Sequence, residues 1–406
     1  MNILIISQHF WPESFRINDL AEGLKEKGHH VTVLTGMPNY PGGELFPSYK
    51  HFSPHHETMK GIEIFRTPII TRGKNKSFFR LSLNYISFVI STSFSLFRLR
   101  KKRIDVILIY GTSPPIQAIP GLILKFFKKC PVFFYIQDLW PESISAVKAS
   151  NSRFLLGIME KIVSVIYKKS DFLLVQSMGF IDSIQRFNLP AKKILYLPNT
   201  AEDFYQPYTP AEAPEQKKII PEGFIVMFAG NIGIAQDFPT ILAAAEKLRD
   251  HKEIYFVILG DGSMKSWLET EIQSRNLSSV LLLGRHPATE MPKFFAHANA
   301  MLVTLKDEEI FNLTLPAKVQ SYLACAKPIV GAVGQVGAQV IKAAQAGYAA
   351  APGQAEELAN IIKKMYALPA TEQEQMGANA RVFFETHFKR EVLLNRLESW
   401  LHDSIR

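Results

Sequence analysis

Short apolar runs alternate with helical segments along almost the whole of this 406-residue chain, and that alternation restricts it to parallel α/β sheets with right-handed crossovers. The first series predicts strands at 2–7, 30–35, 62–66, 105–110, 132–136, 171–176 and 194–197, with an amphipathic helix over 17–27 ended by Gly28. Between 201 and 223 the periodicity dissolves into prolines, glutamates and lysines, as linkers do. A second series follows, with strands at 224–229, 254–259, 280–283, 300–305 and 329–333 and helices over 238–249 and 264–275. The length is about twice that of a typical domain. We therefore expect two Rossmann-like, doubly wound parallel-sheet domains facing across a cleft, at 1–200 and 224–388, joined by a linker at 201–223. A final helix within 389–406 is expected to cross back to the first domain.

With 47% hydrophobic and 20% charged residues the chain reads as globular, without a long disordered segment. Cys130 and Cys325 lie far apart and match no metal or redox spacing, so we expect buried thiols in a reducing compartment and no disulfide. No histidine pair has metal spacing, and neither a metal nor a cofactor is expected. The opening MNILIISQHF reads as a buried strand, not as a signal peptide. A net charge of +9 asks for an anionic partner, which is a nucleic acid, an anionic membrane or a phosphorylated substrate. No nucleic-acid module accompanies that charge, so nucleic acid is not expected.

Ligands of such sheets bind at the carboxyl ends of the strands. The loops there are rich in polar and aromatic groups: HFWPESFR at 9–16, MPNYPGG at 37–43 and QDLWPES at 137–143. Trp-Pro-Glu-Ser recurs at 11–14 and 140–143, so two loops each present a tryptophan and a carboxylate. The segment 74–103 has basic ends, Lys74 and Lys76 against Arg98, Arg100, Lys101, Lys102 and Arg103. Its middle carries Phe78, Phe79, Leu81, Tyr85, Phe88, Val89, Phe94, Leu96 and Phe97. Arg80, Asn84 and five serines argue against a spanning helix and favour one lying on an anionic membrane surface; a core helix with a solvated basic tail is the alternative.

In LPAKVQSYLACAKPIV, 315–330, Pro316 suits the first turn of a helix whose apolar face is Val319, Tyr322 and Leu323, and Pro328 stops it. Lys318 puts a cation in the first turn, where the macrodipole disfavours it. That arrangement asks for an anion, phosphate first. The alternative is an ordinary helix start with a solvated lysine.

GNIG after the first strand of the second series, GDG after the next, GR after the third and LPAK-x7-AKPIV after the fourth resemble, in order and spacing, the C-terminal half of the retaining GT-B glycosyltransferases of family-four type. QHFWPES, MPNYPGG and DLWPES resemble the bacterial subgroup that includes O-antigen L-fucosamine transferases. The resemblance implies transfer of N-acetyl-L-fucosamine from its UDP donor to a polyprenyl-diphosphate-linked saccharide, at the cytoplasmic face of the membrane. It implies that Lys318 pairs with the donor diphosphate, that Gly230, Asn231 and Gly233 form the phosphate loop, and that Asp261, Gly284 and Arg285 line the nucleotide. Asn312, Leu313, Thr314 and Leu315 would bring backbone amides to the distal phosphate, with Pro316 and Ser321 also at the donor site. The family's paired glutamates fall here on Leu313 and Ser321, and its Arg and Lys after the glycine loop fall on Asn231 and near Gln236. Asp138 and Glu13 are the candidates to position or deprotonate the acceptor hydroxyl, with Gln137 beside them. Trp11, Arg16, Asn39, Tyr40 and Glu142 are the candidate acceptor contacts. For each carboxylate, loop capping is the competing role. A nucleotide-sugar 2-epimerase and a non-catalytic nucleotide-sugar binding protein are the rival functions.

Overall fold

The structure is a computed structural model that describes residues 1–50, 56–74, 77–143 and 153–405, with only the backbone described for 78 and 153–155. Lys76 lies outside the described residues and the side chain of Phe78 is not described. The chain divides into two compact units, Met1–Pro198 with Leu394–Arg406, and Asn199–Leu393.

The first unit is built on an eight-stranded sheet ordered β3-β4-β2-β1-β5-β6-β7-β8. Its strands are β1 Asn2–Ser7, β2 His30–Gly36, β3 His56–Met59, β4 Ile62–Thr67, β5 Val106–Gly111, β6 Val132–Ile136, β7 Phe172–Val175 and β8 Ile194–Tyr196. All neighbours run parallel except β3, a short edge strand antiparallel to β4. The second unit carries a fully parallel sheet ordered β11-β10-β9-β12-β13-β14, made of Phe224–Ala229 (β9), Ile254–Leu259 (β10), Val280–Gly284 (β11), Ala300–Thr304 (β12), Ile329–Ala332 (β13) and Gly347–Ala350 (β14). Central strands such as β5 and β9 are buried along their whole length because helices cover both faces, and this is why they read as unbroken apolar runs. Each sheet reverses its winding once, between β1 and β5 and between β9 and β12. Those are the points at which strand-end loops part and leave room for a ligand.

Three expectations need correction. The stretch 201–223 is no free linker: it groups with the second unit, buries Ala201, Ala213 and Ile220 in that unit's core, and coils into turns at Pro210–Glu212 and Pro214–Lys217. A few apolar anchors without a period leave no signature. The loop after β12 contains a short helix, Glu309–Leu313, and the next helix is Ala317–Ala324, so Pro316 is its N-cap residue and not part of its first turn. In the helix Phe78–Ser95, Phe88 is fully buried while Phe79, Ile86, Ile90 and Phe94 are exposed along one face; in the 3-10 turn that follows, Leu96 is buried and Phe97 exposed. Asn84 points inward and its amide bridges Gln8 and the Ile70 carbonyl, so a polar residue pins this helix to the sheet loops. Among the described residues no helix is long and apolar enough to cross a membrane.

The closest backbone approach lies where β9 and β10 end. Gly260 has φ +148°, and a Cβ there would sit 1.8 Å from the Gly230 carbonyl oxygen. Gly260→Ala combines a clash with a strained backbone and is expected to lower stability by about 3 kcal/mol or more in denaturant unfolding. Gly42→Ala, with open space around it, should stay within about 0.5 kcal/mol of the parent.

Candidate active site

In the second unit β9 runs into Gly230, whose φ of +137° turns the chain sharply beside the Lys318 side chain; a Cβ on Gly230 would lie 2.6 Å from Lys318 Cε. The following turn is held from two sides. Ile232 N–H donates to the Asp261 carbonyl at 2.8 Å and the Ile232 carbonyl accepts from Met264 N–H at 2.9 Å. From the β12 side, Lys306 N–H donates to Ala235 O at 3.0 Å, and the Thr304 hydroxyl donates to Gln236 O. These bonds fix Gln236, whose Oε1 accepts from the Lys318 ammonium. The same ammonium sits over the Phe228 ring, 4.3 Å from its centroid.

Lys318 lies in the first turn of Ala317–Ala324, where the leading amides have no helical acceptor. Among the described residues it has no carboxylate partner, and burial pushes its pKa from the ordinary 10.5 down to about 7. The site thus gathers a poorly solvated ammonium, unspent amides and a glycine turn, all of which an anion of phosphate type would satisfy.

Gly230, Asn231, Gly233, Asp261 and Lys318 come together at the ends of β9 and β10. Asn231 stacks its side chain against Gly233 and Gly262, and Asp261 Oδ1 accepts the Gly262 N–H at 2.8 Å. Asn312 approaches Gly334 and its amide donates to Asp307 at 3.0 Å. The Thr314 hydroxyl donates to Ile310 O at 2.7 Å, and Leu315 is core. Ser321 is nearly buried and turns its hydroxyl to Ala317 O at 3.4 Å. Gly284, which ends β11 at φ +75°, accepts the Gly260 N–H at 2.8 Å. Arg285 is exposed beyond it and, among the described residues, bonds to none of these groups.

In the first unit Glu13 is not available to an acceptor. It is 2% exposed, its Oε2 meets His9 Nδ1 at 2.8 Å, and its Oε1 accepts the N–H of Asn39 at 2.7 Å and of Tyr40 at 2.6 Å. Glu13 is the brace between the β1 and β2 loops. The fully buried Arg66 completes it by donating to Trp11 O, Gly36 O and Glu57. Glu142 is tied through Oε1, which accepts from Ser183 Oγ at 2.7 Å and from Arg186 at 2.6 Å, while its buried Oε2 has no partner among the described residues. Gln137 bonds to the Tyr135 hydroxyl. Asp138 differs. Its carboxylate is exposed and, among the described residues, accepts the Ser113 hydroxyl alone, at 2.7 Å, which in turn accepts from Trp140 Nε1 at 3.0 Å. Desolvation by the surrounding wall raises its pKa and the Ser113 bond opposes this.

Arg72 escaped the sequence reading, and Tyr85 entered it as part of the aromatic segment 74–103 and not as a site residue. The Arg72 guanidinium lies over the rings of Tyr40 (5.3 Å) and Tyr85 (5.9 Å), donates to the Tyr85 hydroxyl at 3.4 Å, and has a buried Nε without a partner. The charge of Asp138 reaches Tyr85 and Tyr110, and that of Arg16 reaches Tyr110, so these groups share one locality. Trp11 and Tyr40 are both exposed at 38%.

Residues 14–200 match the glycosyl transferase 4-like domain, and residues 211–383 match the glycosyl transferases group 1 domain. A protein of Escherichia coli K12, provisionally named as the colanic acid biosynthesis glycosyl transferase WcaI, is 24% identical over 347 residues, or 80% of this chain and 81% of that one. Among solved structures, a sucrose-phosphate synthase of Thermosynechococcus elongatus superposes with a TM-score of 0.74 at 18% identity, covering 99% of this chain and 98% of the other. HepE of Anabaena, solved with UDP, gives 0.73 at 14% identity, covering 99% and 100%. This chain is a GT-B glycosyltransferase.

The electrostatics of the transferase make Lys318 a liability to folding. Between about pH 7 and 10.5 the unfolded chain holds a proton on this lysine that the folded chain has lost, so the lysine's contribution to stability rises with pH across that window and is least favourable below pH 7. Lys318→Met is expected to raise stability by about 2–4 kcal/mol at pH 7. Thermal unfolding of both proteins should show that gap closing as the pH approaches 10.

Proposed function

We propose that this transferase moves a sugar, with retention, from a nucleoside-diphosphate donor to a polyprenyl-diphosphate-linked saccharide in the synthesis of a cell-surface polysaccharide. The observation that carries the reading is Lys318, a half-buried, poorly solvated ammonium that has no carboxylate partner among the described residues, beside a glycine turn and a helix start. A departing diphosphate supplies the missing charge, and preformed amides and a cation stabilise it as it develops. UDP is the expected nucleotide, in line with the UDP bound by HepE, and a polysaccharide role accords with the colanic acid assignment of WcaI. The donor sugar we expect from the subgroup resemblance is N-acetyl-L-fucosamine, and the product an O-antigen or capsule. Leu313 and Ser321 replace two carboxylates of the family, so sugar hydroxyls are read here by a neutral wall.

In the reaction the acceptor oxygen bonds to the anomeric carbon on the face that the diphosphate leaves, and the bond from that carbon to phosphate oxygen breaks. The acceptor proton passes to Asp138 or to the leaving phosphate oxygen. Asp138 suits the task because its carboxylate is open and its pKa is raised, whereas both oxygens of Glu13 are already bonded. Arg72, Tyr40 and Tyr85 suit an anionic or glycan acceptor.

If Lys318 grips the diphosphate, its pKa rises on binding and the complex takes up a proton. Calorimetry with UDP in two buffers of different ionisation enthalpy should show uptake at pH 8, with affinity falling as pH rises above about 7. Lys318→Gln should weaken binding about 10- to 100-fold and abolish the pH dependence. Unchanged affinity in Lys318→Gln, or epimerised donor without transfer to a polyprenyl-diphosphate saccharide, would overturn the reading.

The acceptor lipid requires a membrane face, and we assign it to the exposed stripe Phe79, Ile86, Ile90, Phe94 and Phe97. The adjacent helix Ile119–Lys128 adds exposed Phe126 and Phe127. Exposed Arg98, Arg100, Lys101 and Arg103 follow, each contributing about 1 kcal/mol near anionic lipid. The protein would then lie peripherally on the inner face of the cytoplasmic membrane. Replacing Phe94, Phe97, Phe126 and Phe127 by serine should release the protein from vesicles rich in phosphatidylglycerol in a sedimentation assay, while leaving UDP affinity intact.

A further inference from the structure

We propose that His29, Glu398 and His402 form a divalent-metal site of zinc type that fastens the C-terminal helix to the first unit. Glu398 and His402 are four residues apart in the helix Arg390–Ser404 and so share one face, and His29 stands in the turn that leads into β2. One ligand atom from each, two imidazole nitrogens and a carboxylate oxygen, lie within 4.8 Å of one another.

The local geometry assigns the donor atoms. His29 Nδ1 faces the Met1 amino nitrogen at 3.3 Å, which leaves Nε2 to the site, 2.8 Å from Glu398 Oε1. The His402 ring stands 5.9 Å from that of His29, centroid to centroid, and is exposed. Metal therefore has a route in from solvent, while His29 itself is buried. Burial, and after it the Met1 ammonium, lower the pKa of His29. Two imidazoles and a carboxylate, with a fourth position open to water, match the donor set and count that Zn²⁺ accepts.

Metal binding at His29 Nε2 displaces the proton shared with Glu398 Oε1 to solvent, and the Met1 ammonium beside Nδ1 passes a proton to that nitrogen, so the ring stays a neutral imidazole and Met1 becomes a neutral amine. Nε2 and Oε1 must part to about 3.3 Å, the spacing set by bonds of ~2.0–2.1 Å at tetrahedral angles, and the exposed His402 ring swings in to complete the set. One group opposes this. The Lys27 ammonium holds Glu398 Oε2 at 2.9 Å and competes for the same carboxylate.

The test uses the full chain, freed of any affinity tag and stripped with a chelator, and titrated with Zn²⁺ against a chromophoric indicator with melting temperature followed in parallel. One zinc per chain and a raised melting temperature are expected. His402→Ala and Glu398→Gln, at accessible positions, should weaken binding about 10- to 100-fold or more, and Lys27→Met should tighten it. Absence of stoichiometric binding, or binding in His402→Ala equal to the parent's, overturns the proposal.

Discussion

The ammonium of Lys318 is the constraint around which the second unit is arranged. Taking a charge out of water is unfavourable unless it is paired, and here an amide oxygen, an aromatic face and a helix start of the same sign surround it. The fold holds this arrangement because the groups that make it belong to a rigid frame. Gly230 and Gly260 let two strand ends approach within contact of each other, and the β12 loop bonds to the turn that carries Gln236. An anion placed there relieves a strain that folding has already accepted.

The first unit uses its charges in the opposite way. Glu13 and Arg66 are spent on the protein itself, each meeting several partners that tie the β1, β2 and β4 loops together. Asp138, at the end of β6, meets a single hydroxyl among the described residues. Two carboxylates at equivalent ends of one sheet thus differ in how many donors the surrounding loops supply. The count of donors, more than residue type, separates a brace from a group free to exchange a proton.

Much of this was legible in the chain itself. The apolar runs of β5 and β9 declare strands covered on both faces, and the Pro-Ala-Lys start of Ala317–Ala324 announces a cation at a helix head. The segment 201–223 was misread because Ala213 and Ile220 anchor it without a period. Phe88 was misread because aromatic content says nothing about which face of a helix meets the sheet. Arg72 was missed because its partner Tyr40 lies more than thirty residues away, Tyr85 was read only as part of an aromatic face, and His29 meets Glu398 only through the folded chain.

By itself the sequence determined the strand–helix alternation, the glycine turns and the position of Lys318 in a helix, since periodicity, backbone freedom and proline are properties of neighbouring residues. Tertiary structure alone decided that Lys318 is desolvated, that Glu13 is saturated while Asp138 is open, and which phenylalanines remain on the surface. Solvation and hydrogen-bond satisfaction depend on atoms delivered by distant segments, and no local pattern encodes what those segments bring.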